Sequence, residues 1–115
     1  MVVDGKIIKI ARKLFETGLI NDNLLIDLYN HYNKDVGNTN LFIKRAKDLF
    51  PKLNCGLASV YLQKLLGEGE VIGGKYKDQD HTFLLLKRMV IDITADQYGG
   101  PRVYIGPLKR PWALF

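Results

Sequence analysis

Three residues whose side chains can together move one proton follow each other along the chain: Cys55, His81 and Asp92. Cys55 is the only cysteine, so no internal disulfide can form, and the thiol either packs as a small apolar group or reacts. Its setting, Asn54-Cys55-Gly56-Leu57-Ala58-Ser59, reads as the start of a helix. There the unpaired amides and the positive end of the helix dipole stabilise a thiolate, the form of cysteine that attacks carbonyl carbon. The same amides can hold an oxyanion. A thiolate nucleophile also needs a proton acceptor that becomes an acid when the leaving group departs, and imidazole suits both steps near neutral pH. His81 is the expected base.

Asp92, in Val90-Ile91-Asp92-Ile93, places a carboxylate in an apolar strand, where it needs a partner or an outward face. If Lys87 and Arg88 form a two-residue turn, Leu86 pairs with Met89, Phe83 faces Asp92 and His81 faces Thr94. Asp92 is then a diagonal neighbour of His81 on one sheet face, about 7–8 Å away at the backbone, near enough to orient the far imidazole nitrogen. A slip of one residue would turn Asp92 to the opposite face. Asp96 is the reserve orienting acid. The other histidine, His31, sits in Tyr29-Asn30-His31-Tyr32 on a helix and reads as a surface or boundary residue.

The elements that must carry these residues change character halfway. Ile7, Ile8, Ala11, Leu14 and Phe15 recur at helical spacing, with Asp4 as N-cap and Gly18 as stop. Asn21 caps a second helix with the stripe Leu24, Leu25, Leu28 and Tyr32, ending near Gly37. Asn38 or Thr39 opens a third, with Leu41, Phe42, Ala46, Leu49 and Phe50 inward and Pro51 at its close. A fourth runs from Cys55 to Leu66, with Ala58, Tyr61, Leu62, Leu65 and Leu66 on one side and Gly67 and Gly69 ending it. Strands follow: Val71 to Tyr76, His81 to Leu86, Met89 to Thr94 and Arg102 to Ile105. Helices first and strands afterwards, with no crossover helices, predict an α+β fold with an antiparallel sheet. The apolar tail from Pro107 to Phe115, with Trp112, is expected to pack back on the domain, to cover the cleft or to join a partner.

The chain has 115 residues, 47% of them apolar, and reads as one domain, 1–115, with a helical part (1–53) and a catalytic helix and sheet (54–115). One cysteine and two histidines cannot supply zinc-ligand spacing, so neither metal nor cofactor is expected. No apolar run approaches the roughly 20 residues that span a bilayer, and Met1-Val2-Val3-Asp4 does not open a secretory signal. A cytoplasmic protein, or one delivered as an effector, is expected. The formal charge is +5, spread as +3 over residues 1–53 and +2 over 54–115. Nucleic-acid binders gather charge on a face or arm. Lys6, Lys9, Arg12 and Lys13, and then Lys44, Arg45 and Lys47, read instead as solvated helix faces.

From Asn54 to about Ile105 the sequence resembles the compact papain-like and transglutaminase-like cysteine enzymes, which include bacterial toxin and effector domains. The resemblance rests on Cys55-Gly56-Leu57-Ala58-Ser59-Val60-Tyr61-Leu62, on His81-Thr82-Phe83, and on Ile91-Asp92-Ile93-Thr94-Ala95-Asp96-Gln97-Tyr98. Phe83 stands where Trp is usual and Ile93 where Pro is common. The resemblance implies a papain-like fold with Cys55 as nucleophile, His81 as general base and Asp92 as its partner. By analogy with the glutamine of papain-like sites, Gln97 is an auxiliary oxyanion donor or else a surface turn residue. Asn54 is a helix N-cap or a donor near the thiolate.

These readings lead to a cysteine hydrolase or acyltransferase of peptidase, glutamine deamidase or transglutaminase type, acting on a protein or peptide amide. A partner or host protein would dock on the helical half. The alternatives are an inactive papain-like binding protein and a basic nucleic-acid or protein adaptor.

Overall fold

A computed structural model describes residues 4–32 and 39–114. Gly37, Asn38, Phe115 and the side chain of Tyr32 lie outside the described residues. The elements run α1 (Gly5–Glu16), α2 (Asp22–Tyr32), α3 (Thr39–Leu49), α4 (Cys55–Leu66), β1 (Glu70–Tyr76), β2 (Gln79–Leu86), β3 (Met89–Asp92), a 3-10 turn (Ala95–Tyr98), β4 (Tyr104–Pro107) and β5 (Trp112–Ala113). The fold is α+β, with an antiparallel sheet ordered β4-β3-β2-β1-β5. No helix among the described residues is long and apolar enough to cross a membrane.

Local chemistry explains most boundaries. Asp4 accepts from the Lys6 amide at 2.9 Å and Asn21 from the Leu24 amide at 3.0 Å, so both cap as their side chains allow. Gly67 closes α4 at φ 73, a left-handed conformation that costs other residues more. Lys87 and Arg88 join β2 to β3 with φ of 49 and 68, the geometry whose twist matches a two-residue hairpin. The hairpin then pairs Leu86 with Met89, Leu85 with Val90 and Leu84 with Ile91, the register expected from the sequence.

That register sorts the two sheet faces. Leu84, Leu86, Ile91 and Ile93 pack against the helices, in one core with Ile8, Ala11, Phe15, Leu25, Ile43, Leu57 and Leu62. Phe83 and Val90 face the other way, with Tyr76, Ala95 and Trp112. β4 and β5 are opposite edges of the sheet, yet the rings of Tyr104 and Trp112 stack at 3.9 Å between centroids. The sheet therefore curls until its two edges meet over the second face. A Cβ at Gly74 would lie 2.5 Å from the Ala113 carbonyl oxygen and 2.8 Å from the Phe83 ring, so this approach of β5 requires glycine.

Several elements differ from expectation. β3 ends at Asp92 rather than Thr94, because the Asp92 carboxylate accepts from the Thr94 amide at 2.8 Å and turns the chain out of the ladder. β4 begins at Tyr104 rather than Arg102, and the tail contributes β5. The inner side of α4 is wider than its apolar stripe: Leu57, Ala58, Ser59 and Val60 are all buried, while Leu65 is exposed. A helix covered on most sides loses the simple period. On α3 the buried residues include Ile43, whereas Leu41 and Leu49 are exposed.

Arg12 is not on a solvated face. It is 7% exposed and lies over the Phe50 ring at 4.6 Å. Its guanidinium donates to both carboxylate oxygens of Asp96 (2.7 and 2.8 Å), to Glu16 (2.7 Å) and to the Ile93 carbonyl (2.8 Å). The planar fork meets a carboxylate and a carbonyl at once, which a lysine cannot do. Arg12→Met should lower the unfolding free energy by about 2–4 kcal/mol, because it strands the Ile93 carbonyl and the Asp96 carboxylate. Urea denaturation should show this loss, and Arg12→Lys should recover only a minor part; full recovery by lysine would mean that the charge alone matters.

Candidate active site

Asp92 is the last residue of β3 and is 2% exposed, as is His81 on β2. The expected register puts both on one face, and their side chains meet there: His81 Nε2 and Asp92 Oδ2 are 2.6 Å apart. With a carboxylate acceptor on that side, Nε2 carries the proton and Nδ1 is left as the free acceptor of the neutral ring. The other carboxylate oxygen of Asp92 accepts from the Thr94 amide at 2.8 Å and the Thr94 hydroxyl at 3.3 Å.

A further donor to Asp92 was invisible in the sequence. The indole Nε1–H of Trp112 on β5 donates to Oδ2 at 2.8 Å, the same oxygen that meets His81. The apolar tail gave grounds to expect packing, but no spacing rule connects Trp112 to Asp92. Buried tryptophans usually find a partner for the indole N–H, and a buried strand carboxylate wants donors. That pairing of needs is the only sequence signal there was.

Cys55 opens α4 and is half-buried. Burial alone would raise its thiol pKa, but interaction with His81 and with the Thr82 amide and hydroxyl outweighs burial and lowers it below the ordinary thiol value. For His81, burial alone would lower the pKa; the Asp92 hydrogen bond and the thiolate of Cys55 overcome this and push it up to about 9. Both shifts favour a thiolate–imidazolium pair. His81 Nδ1 is buried and has no hydrogen-bond partner, and the neighbouring Cys55 thiol is among the groups that shift the imidazole. Tyr98 packs edge-on against His81 at 5.5 Å between centroids and donates its hydroxyl to the Asp80 carbonyl at 3.0 Å. A Cβ on Gly56 would meet no atom within 4 Å, leaving space beside Cys55.

The remaining sequence expectations separate. Asp96 does not orient His81: Arg12 takes both of its oxygens. Asn54 is neither a side-chain cap nor a donor toward the thiolate, because its amide nitrogen donates to the carbonyls of Ala46 and Lys52, each at 2.7 Å. It instead ties the end of α3 to the start of α4. Gln97 lies on the 3-10 turn, and its buried Nε2 has no hydrogen-bond partner. His31 is exposed on α2. Among the described residues no group of three or more His, Cys, Asp or Glu could hold a metal ion.

The pH dependence follows from the direction of the His81 shift. Its folded pKa lies above the usual value of 6.5, so its contribution to stability is complete below about pH 6.5 and disappears as pH rises through about 9. The lowered Cys55 pKa acts in the opposite sense over the same window, so the decline in unfolding free energy should be seen in Cys55→Ala, where no thiolate offsets it, and should be smaller in Cys55→Ala/His81→Ala. Iodoacetamide should alkylate wild-type Cys55 well below the pH at which free cysteine reacts, and His81→Ala should return the profile to that of an ordinary thiol. Identical profiles in the two proteins would refute the coupling. In comparisons with known proteins, the chain matches no family model, no curated protein and no solved structure.

Proposed function

We propose that the protein is a cysteine-nucleophile hydrolase or acyltransferase acting on a protein or peptide amide, with Cys55 as nucleophile, His81 as general base and acid, and Asp92 as the group that orients His81. One observation carries this reading: a buried imidazole whose Nε2 is fixed by a carboxylate at 2.6 Å has no hydrogen-bond partner on its other nitrogen and interacts with the only thiol of the chain, at a helix start. Buried histidines held only for packing satisfy both nitrogens or expose one. Here the second nitrogen is left for the thiol.

In the proposed reaction the thiolate of Cys55 attacks the carbonyl carbon of the substrate, and a carbon–sulfur bond forms as the carbonyl electron pair moves to oxygen. The resulting oxyanion faces the first-turn amides of α4, which have no intrahelical acceptors. The His81 imidazolium gives its proton to the leaving amine, the carbon–nitrogen bond breaks, and an acyl-thioester remains on Cys55. Water or an amine then attacks the thioester while His81 takes its proton, and the thiolate departs. Water as acceptor gives a peptidase or deamidase, and an amine gives acyl transfer. Asp92 keeps its charge throughout and stabilises the imidazolium each time it forms.

The resemblance of Asn54 to Ile105 to papain-like and transglutaminase-like enzymes supports the same assignment of roles. The thiol and the His81–Asp92 pair are carried by α4, β2 and β3, which leaves the outer surface of α1 to α3 as the proposed place for a protein partner.

The test is the acyl-enzyme itself. A p-nitrophenyl ester of an N-blocked glycine peptide should give a burst of nitrophenol and a mass increase on Cys55 in wild type. Cys55→Ala should give neither, and Asp92→Asn should slow acylation about 10²–10⁴-fold. Wild type that alkylates readily with iodoacetamide but never forms or turns over the acyl adduct would favour the binding-protein alternative.

A further inference from the structure

The Asp92 carboxylate is served by donors from three places in the chain. His81 comes from the neighbouring strand, Thr94 from the turn that follows Asp92, and Trp112 from β5, which reaches the second face only because the sheet curls. Trp112 is buried, its ring stacks on Tyr104 at 3.9 Å, and it meets Tyr76 edge-on at 5.0 Å. Among the described residues, β5 pairs with β1 at Lys75–Ala113 and Tyr76–Trp112. The indole is thus wedged between the two edges of the sheet with its N–H directed at the oxygen that holds His81.

We propose that Trp112 is a positioning residue for the His81–Asp92 pair, so that the C-terminal strand sets both the geometry and the proton affinity of the base. Two donors on one carboxylate oxygen share its charge. While the indole N–H takes part of that charge, Asp92 holds the imidazolium less tightly than an undivided oxygen would, and the carboxylate is kept from rotating away from Nε2. Among the described residues, the other titratable groups against this pair are Cys55 from α4, Tyr76 from β1, Tyr98 from the 3-10 turn and Tyr104, which pairs with Asp92 from β4 and donates its own hydroxyl to the Pro107 carbonyl. None of these lies on β5. The inference rests on the proposed role of His81, but its test does not need activity.

The test compares Cys55→Ala with Cys55→Ala/Trp112→Phe, so that the thiolate is absent from both and only the indole N–H changes. The His81 ring resonances are followed by NMR against pH. Loss of the N–H should raise the proton affinity of His81 about threefold, which a general loosening of the fold would not do. An unchanged or lowered affinity in a variant that melts cooperatively would overturn the proposal. A second measurement covers the case in which the phenylalanine variant does not fold. Trp112 is the only tryptophan in the chain, so unmodified protein has a single indole N–H resonance, and that resonance should move with the titration of His81. An indole signal that stays fixed while His81 titrates would equally refute the role. If the His81–Asp92–Trp112 coupling is present but Cys55 never acylates, the proposed function fails and the positioning role stands.

Discussion

The structure depends on one buried anion. Asp92 sits at the end of β3 with almost no exposure to water, where an ionised carboxylate is tolerable only if its lone pairs are met by donors. His81, the backbone and hydroxyl of Thr94, and the indole of Trp112 meet them. Each donor fixes something else: the imidazole orientation, the point where the strand turns away, and the seat of the C-terminal strand. The needs of one side chain therefore couple the proposed base, the loop behind it and the closure of the sheet.

A second polar group braces the same segment from the helical half. Arg12 on α1 holds the Ile93 carbonyl, one residue past Asp92, and clamps Asp96 three residues further on. Arg102, just before β4, joins it on Glu16. The chain from Asp92 to Asp96 is thus held on one side by Trp112 and on the other by Arg12. α1 consequently does more than cover a sheet face: it sets the position of the strand end that carries the carboxylate.

The thiol is placed by different means. Asn54 uses its amide to join the Ala46 and Lys52 carbonyls, which ties α3 to the start of α4. The densely buried residues Leu57 to Val60 then fix the helix axis against the sheet. Cys55 reaches His81 and Thr82 from a helix, whereas the imidazole and carboxylate come from a hairpin. The interaction of Cys55 with His81 therefore links two separately stabilised units, and the opposing directions of the two pKa shifts express it.

Much of this was legible in the sequence where the governing forces are short-range. Helical periodicity, caps at Asp4 and Asn21 and the stop at Gly67 depend on residues a turn or less apart. The alternation of β2 and β3 around Lys87 and Arg88 fixed a register that puts His81 and Asp92 on one face. What the sequence could not determine involves groups far apart along the chain: Trp112 meets Asp92 across 20 residues and Arg12 meets Asp96 across 84. An arginine in an amphipathic helix reads as solvent-facing, and an Asp near the site reads as a spare acid, until folding brings the two together. The sequence by itself determined which groups can do the chemistry and that the hairpin aligns two of them. Only the tertiary structure decided which donors meet the Asp92 carboxylate and which acid is already taken, because a buried polar group accepts whatever partners the curled sheet and packed helices deliver, irrespective of their distance along the chain.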